Sequence, residues 1–396
     1  MRLKTPTVCL VFHANKDHSE VSYQRLRKML EGEDAELLRM LESVNVPINL
    51  STQAEDLLFW QIVNPKIVEA LVRKPYIEIM PGLYSHMMPS LFSGMLSRQL
   101  RMAGSVINPR NAGPIGCIPE VDVSSSIIHG LDNHRRRWSG VLALEDLHYT
   151  YEYRADIDCR IPLTGKTILQ SQGMPIVVAR AGSLRDTLLK YYRGFATADE
   201  FVTALVQVVK ESELNFLTFF TDFELSQVNA LNGESRLDLW CKLFEALKEA
   251  QDDRGIRFAT FNDSEIWQFI SDTAEQMPET TIEMRPMPKW LGPRELYDKA
   301  VEVIDDFLSG HRIIEVSQVL RLTISDTFSA HGVKRMELSV KDSSEKVIIE
   351  SDRDARVEVF EHYYALATGR KSRNPSNETI RWYLKNLSKV HEVSRE

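Results

Sequence analysis

Acids, amides and histidines stand at the ends of the short apolar runs of this sequence. His13 and Asn15 follow the run at 8–12, Gln53 follows 47–51, and Glu78, Tyr84 and His86 lie within or just after 76–80. Glu120 follows 115–118, while Glu145, Asp146 and His148 follow 140–144. Asp222 and Glu224 follow 215–220, and Asn262 and Asp263 follow 256–261. Taken singly, such a residue ordinarily caps a helix or closes a salt bridge. Gathered at one end of a set of strands, the same residues could do acid–base and nucleophilic chemistry: one carboxylate attacks, a second carries a proton, and imidazoles hydrogen-bond hydroxyl groups. Phosphate-cradling loops of the GxGxxG or GxxxxGKS/T kind are missing, and so is a GxSxG nucleophile elbow. The four cysteines, Cys9, Cys117, Cys159 and Cys241, form no CxxC pair, and the ten histidines show no ligand spacing, so neither a metal nor a cofactor is expected. Cys9, Cys117 and Cys241 sit in apolar runs and are expected as buried thiols.

The elements that must position these residues alternate in type. The eight runs, at 8–12, 47–51, 76–80, 115–118, 140–144, 175–180, 215–220 and 256–261, are continuously apolar, the texture of parallel strands buried on both faces. Between them lie helical patterns with start signals: Ser183 with Asp186, Thr197 with Glu200, and Ser235 with Asp238 have capping-box spacing. Phe201, Leu205, Val208 and Val209 repeat at helical spacing, as do Leu237, Trp240, Cys241, Phe244 and Leu247. Strands alternating with amphipathic helices form βα units on a parallel sheet, closed as a barrel or open and doubly wound. The stretch 149–162, rich in Tyr, Asp and Arg, is expected as an insertion or hairpin.

After about residue 275 the texture changes, and prolines at 278, 286, 288 and 293 mark a linker. Beyond it, helical patterns at 295–308, 313–328, 353–368 and 378–389 predict a mostly helical region packed on the barrel, giving two parts, 1–275 and 276–396. Aromatics there (Phe360, Tyr363, Tyr364, Trp382, Tyr383) fit a core and would also serve a homo-oligomer interface. The formal net charge of −8 argues against a nucleic-acid partner, and the Arg135–Arg136–Arg137 cluster is expected on a solvated loop. The five apolar residues at 8–12 are too few for a signal-peptide core, and no stretch is long enough to span a bilayer. A cytoplasmic location without membrane contact is therefore expected.

Four segments, in order along residues 8–265, resemble glycoside hydrolase family 57. Leu10-Val11-Phe12-His13-Ala14-Asn15 stands where the family has its first His motif, with His-Ala-Asn in place of the common His-Gln-Pro, as in α-galactosidase-type members. The segment from Glu78 to Pro89, with Tyr84-Ser85-His86, is similar to the family's Glu-Ile…Tyr-x-His…Pro stretch. Gly116-Cys117-Ile118-Pro119-Glu120 resembles the motif that supplies the nucleophile, with Cys117 or Ile118 replacing the usual aromatic. Phe220-Thr221-Asp222-Phe223-Glu224 resembles the motif whose Asp is the general acid/base.

This resemblance implies an incomplete (β/α)7 barrel, a distorted parallel barrel that leaves one of the eight runs outside. It also implies a retaining two-carboxylate enzyme acting on α-glycosidic bonds, with Glu120 as nucleophile, Asp222 as acid/base, and an α-galactoside as the first substrate to consider. His13, Asn15, Glu78, His86, Asp146 and Glu224 are then the substrate-binding set, Glu224 lying close enough in sequence to bias Asp222. His13, Glu78, His86, Glu120 and Asp222 should converge at one rim, with the two carboxylates about 5–5.5 Å apart for retention or about 6.5–9.5 Å for inversion. Two other readings use the same residues: a metal-dependent carbohydrate deacetylase built on His13, His86, His148 and Asp222, and a barrel that binds a carbohydrate or protein without turning it over.

Overall fold

The computed structural model describes residues 2–14, 34–87, 89, 93–106, 112–118, 125–132, 134, 138–145, 166–180, 182–223 and 230–276. Strands β1 (Thr7–Ala14), β2 (Ile48–Thr52) and β3 (Ile77–Met80) run parallel to one another, and β8 (Phe216–Asp222) lies parallel to β1 on its other side. A second sheet contains β4 (Ile115–Gly116), β5 (Gly140–Leu144) and β7 (Met174–Ala179), again parallel, with β6 (Ile168–Ser171) antiparallel to β7 and β10 (Glu275–Gln276) at its edge. Single parallel bridges join the sheets at both margins, Ile79 to Ala112 and Arg180 to Phe219. Seven parallel strands thus follow one another in a ring, β1-β2-β3-β4-β5-β7-β8, with full ladders inside each sheet and thin seams between them. This is the distorted (β/α)7-type barrel.

The eighth apolar run forms only the two-residue strand β9 (Arg257–Phe258), which pairs with Thr7 and Val8 at the start of β1 and stands outside the ring. Strand β6 was not apparent in the sequence. Its hairpin with β7 turns through Gln172 and Gly173, both at positive φ (53° and 74°), the signature of a two-residue type I′ turn in which Asn normally occupies the first place.

Alternation along the strands sorts their residues into two cores. Val8, Leu10, Phe12 and Ala14 face the surrounding helices, whereas Cys9 and Val11 belong to a smaller cluster inside the ring with Met80, Cys117, Leu142, Leu144, Val177, Ala179 and Phe220. Outside the ring, helix α8 (Arg236–Asp253) buries Trp240, whose ring meets Phe12 at 5.4 Å and Phe244 at 4.7 Å, while its indole N–H donates to Met40 O at 2.7 Å. Each such buried aromatic contributes roughly 2–3 kcal/mol of burial. The buried face of α8 is Leu239, Trp240, Leu243, Phe244, Leu247 and Ala250, which leaves Cys241 only partly buried rather than in the core.

Among the expected helix starts, Thr197 begins α7 (Ala198–Glu211) with a complete capping box to Glu200, and Ser235 accepts the Asp238 N–H at the start of α8. Asp238 has too short a side chain to return the bond. Ser183 caps nothing, because helix α6 (Gly182–Tyr192) starts one residue before it, at a glycine with φ of 33°. Helix α9 (Ser264–Thr273) closes the N-terminal end of the barrel, packing Ile266, Phe269 and Ile270 against the inner core, with Phe269 5.5 Å from Phe216. Among the described residues no helix is long and apolar enough to cross a membrane. The stretch 149–162, Arg135–Arg136–Arg137, Cys159 and the whole expected helical region 276–396 lie outside the described residues.

Candidate active site

His13 is the last inward-facing residue of β1. Parallel pairing sets it level with Ser51 of β2 and Asp222 of β8, in strands about 4.8 Å apart. His13 is buried, with Nδ1 3.0 Å from Ser51 Oγ and Nε2 3.2 Å from Nε2 of His86. Two facing Nε2 atoms require one imidazole to carry its proton there and the other to accept it. The ring of Phe220, two residues before Asp222, stacks on His13 at 5.9 Å. Its position is therefore determined on three sides.

His86 reaches this pair from the loop after β3. The loop is pinned by Gln99 of helix α4 (Leu96–Val106), whose buried amide accepts the Ser85 N–H at 2.9 Å and donates to Ser85 Oγ at 2.7 Å. Leu83 O accepts the N–H of Ala54, tying the same loop to the end of β2. Tyr84 and Met87, on either side of this clamp, are fully buried. Gln53, also at the end of β2, is buried as well, and among the described residues neither atom of its side-chain amide meets a hydrogen-bond partner.

Asp222 ends β8, partly buried, and its Oδ2 is bound by a guanidinium nitrogen of Arg185 in the first turn of α6. The next residue, Phe223, packs edge-on against Trp240 at 5.3 Å, so the chain leaves β8 along a fixed path. A second ion pair, Arg180 to Glu145 at 3.3 Å, spans the ends of β7 and β5. Among the described residues the strand ends thus carry the Asp222–Arg185 pair on the strand next to His13, and the Glu145–Arg180 pair on the helix-facing side of β5 and β7.

Glu78 does not join this group. It is level with Asn49 and Val11, one inward layer below His13, and its carboxylate turns toward the barrel floor. Oε2 accepts the Asn262 N–H at 2.6 Å, and Thr260 supplies a side-chain hydrogen bond. Burial pushes the carboxyl up to about 7, against the lowering effect of those two bonds. Among the described residues its Oε1 is buried without a hydrogen-bond partner, and it lies 1.7 Å from where a Cβ on Gly113 would stand, so any larger residue at 113 would displace the carboxylate. Beside it Asn49 donates to Leu10 O at 3.0 Å and accepts from Phe261 N at 3.0 Å.

Of the residues expected at the site, the structure brings His13 and His86 together beside Asp222 and sets Glu78 at the floor. Asn15, Glu120, Asp146, Glu224 and His148 lie outside the described residues. Four residues of this end were not anticipated: Ser51, Gln99, Arg180 and Arg185. Arg185 carries a usable signal, a basic residue five positions after the sixth apolar run. Among the described residues no three His, Cys, Asp or Glu side chains gather as a metal site.

No family model matches the sequence, and no curated protein matches it. Solved structures do resemble it in three dimensions. A GH57 branching enzyme from the hyperthermophilic archaeon Thermococcus kodakaraensis, in complex with glucose and additives, superposes with a TM-score of 0.58 at 10% identity, over 98% of this chain and 94% of that one. A GH57-type branching enzyme from Pyrococcus horikoshii gives 0.53 at 11% identity, over 99% and 95%. A 4-alpha-glucanotransferase from Thermococcus litoralis gives 0.47 at 12% identity, and there the chain spans only 59% of the other protein's length. The fold of this chain is the parallel α/β barrel of the two GH57 branching enzymes.

Proposed function

We propose that the chain is a carbohydrate-active enzyme of the glycoside hydrolase family 57 type that hydrolyses or transfers α-glycosidic bonds with two carboxylates. The observation that carries the reading is the level shared by His13, Ser51 and Asp222 at the C-terminal ends of the barrel strands, with His86 closing on His13. Parallel barrels keep their reacting groups at that end. The sequence motifs and the fold agree with it independently.

In this reading the Glu120 carboxylate attacks the anomeric carbon while the Asp222 carboxyl gives its proton to the departing glycosidic oxygen. Water then enters, Asp222 takes a proton from it, and the bond from Glu120 to the anomeric carbon breaks. An acceptor hydroxyl in place of that water gives transfer. His13 and His86 hydrogen-bond the sugar, one imidazole offering a lone pair and the other a proton. Asn15, Asp146 and Glu224 belong to the same proposed binding set through their motifs, and the His13-Ala14-Asn15 sequence makes α-galactosides the finer proposal. The two superposed neighbours are described as branching enzymes, one of them in complex with glucose, so glucose-built α-glucans belong on the same panel.

Replacing Glu120 by Ala should abolish turnover, and azide should restore it as a glycosyl azide of inverted configuration. Azide rescue of Asp222→Ala should give the retained product, because azide then attacks the glycosyl-enzyme. Turnover by Glu120→Ala at the wild-type rate rules the mechanism out. Cleavage of α-glucans with none of α-galactosides changes the substrate and leaves the carboxylates in place. Loss of activity on chelation, restored stoichiometrically by zinc, favours the deacetylase.

A further inference from the structure

We infer that Arg185 is the positioning residue of Asp222, holding one carboxylate oxygen so that the other faces the cleft. The inference rests on Asp222 being the acid/base. Arg185 binds Oδ2 of Asp222, and among the described residues neither side chain makes another ion pair. Most surface ion pairs join two flexible side chains and order neither. This one joins a strand end to a helix whose place is determined independently.

Three features hold Arg185 in register with Asp222. The seam between β7 and β8 is stitched at Arg180, whose N–H donates to Thr218 O at 2.8 Å and whose carbonyl accepts from Phe220 N at 2.9 Å. That seam lies five residues before Arg185 and two before Asp222. Gly182, in the left-handed region, turns the chain at once into α6, so Arg185 falls in the first helical turn. The body of α6 is anchored by buried Leu184 and Leu188, and its far end by Tyr191, whose hydroxyl donates to Leu239 O at 2.5 Å. The guanidinium is therefore delivered by the fold.

The chemistry gives such a group a task. In the first step Asp222 loses its proton to the departing oxygen and becomes a carboxylate, and in the second it regains one from water. Arg185 neither gives nor takes a proton. It supplies a fixed positive partner for the carboxylate that the first step creates, and it stops the carboxyl from rotating away from the glycosidic oxygen. A lysine, with a compact point charge on a flexible stem, keeps the charge but loses the fork that sets orientation.

The test uses the full chain and whichever 4-nitrophenyl α-glycoside the wild type turns over fastest. Arg185→Ala should lower kcat about 10- to 100-fold with KM little changed, since the group acts on a positioned acid and not on ground-state binding. Millimolar guanidinium should restore part of that kcat in Arg185→Ala and none in Asp222→Asn, and Arg185→Lys should fall between. Wild-type kcat in Arg185→Ala, or a change confined to KM, overturns the inference while Asp222→Asn still reports on the acid/base reading. Wild-type turnover by Asp222→Asn overturns that reading, and this inference with it. A thermal-unfolding cycle over Arg185→Met and Asp222→Asn needs no substrate. The double variant should melt about 1–3 °C above the sum of the single effects, and strict additivity removes the contact on which everything here depends.

Discussion

The rim and the floor of this barrel both bury polar groups, but they bind them to different partners. At the floor, most of the bonds run from side chain to backbone: Asn49 joins Leu10 O to Phe261 N, Glu78 takes the Asn262 N–H, and Asp263 accepts the Glu265 and Ile266 N–H groups at the start of α9. At the rim, side chains bond to side chains: His13 to His86 and Ser51, Asp222 to Arg185, and Glu145 to Arg180. A side chain that leaves a buried backbone partner strands a peptide group that cannot follow it, so the floor resists exchange. Bonds between side chains can be exchanged for bonds to a sugar hydroxyl by rotation about a few χ angles. The end built to change partners is the one at which chemistry is proposed.

The comparison can be broken at its strongest point first. Asn49→Ala removes both bonds at once and leaves a buried N–H and a buried carbonyl behind. It should cost about 2–5 kcal/mol in denaturant unfolding, with activity per folded molecule unchanged. A loss below about 1 kcal/mol, the net worth of an ordinary hydrogen bond, would make the floor no firmer than the rim.

The next effect is linked to pH. Glu78 has a folded value of about 7 against an ordinary 4.5, so the folded state binds this proton more tightly than the unfolded chain. Its contribution is fully present below about pH 4.5, declines as pH rises, and is lost above about pH 7, a change on the order of 3 kcal/mol. Glu78→Gln should flatten that slope and be the more stable protein at pH 8. An unaltered pH profile of the melting temperature in Glu78→Gln counts against a proton-bearing floor.

The smallest effect on stability, and the sharpest on function, belongs to the rim. His86→Ala should leave the unfolding free energy within about 1 kcal/mol of wild type and lower kcat/KM about 100-fold, equivalent to about 2.7 kcal/mol of transition-state stabilisation. Stability falling as far as in Asn49→Ala, with kcat/KM kept, would reverse the roles assigned to the two ends.

Much of the frame was legible because its physics is local. Strands buried on both faces must be apolar throughout, and seven of the eight continuous runs mark the ring strands. Thr197 and Glu200 satisfy each other within one turn, so their spacing alone locates the start of α7. Strand β6 escaped because Gln172 holds a positive φ that its residue type does not advertise. Gln99 escaped because a polar residue on a mixed helix reads as solvent-facing until the loop it clamps is known.

By itself, then, the sequence determined which residue types end the strands, which faces are apolar, and hence that a parallel α/β sheet, closed or open, has one polar end. The tertiary structure alone decided the level at which each polar group sits. Glu78 and His13 both point inward from strand residues, yet register places one against the floor backbone and the other against His86 and Ser51. Arg185 and Asp222 are 37 positions apart, and nothing in either segment specifies the other as its partner. Their meeting depends on the β7–β8 seam, a non-local bridge between the two sheets. Local patterns encode what a residue can do; only pairing between distant strands, which sets their registers, decides what it meets.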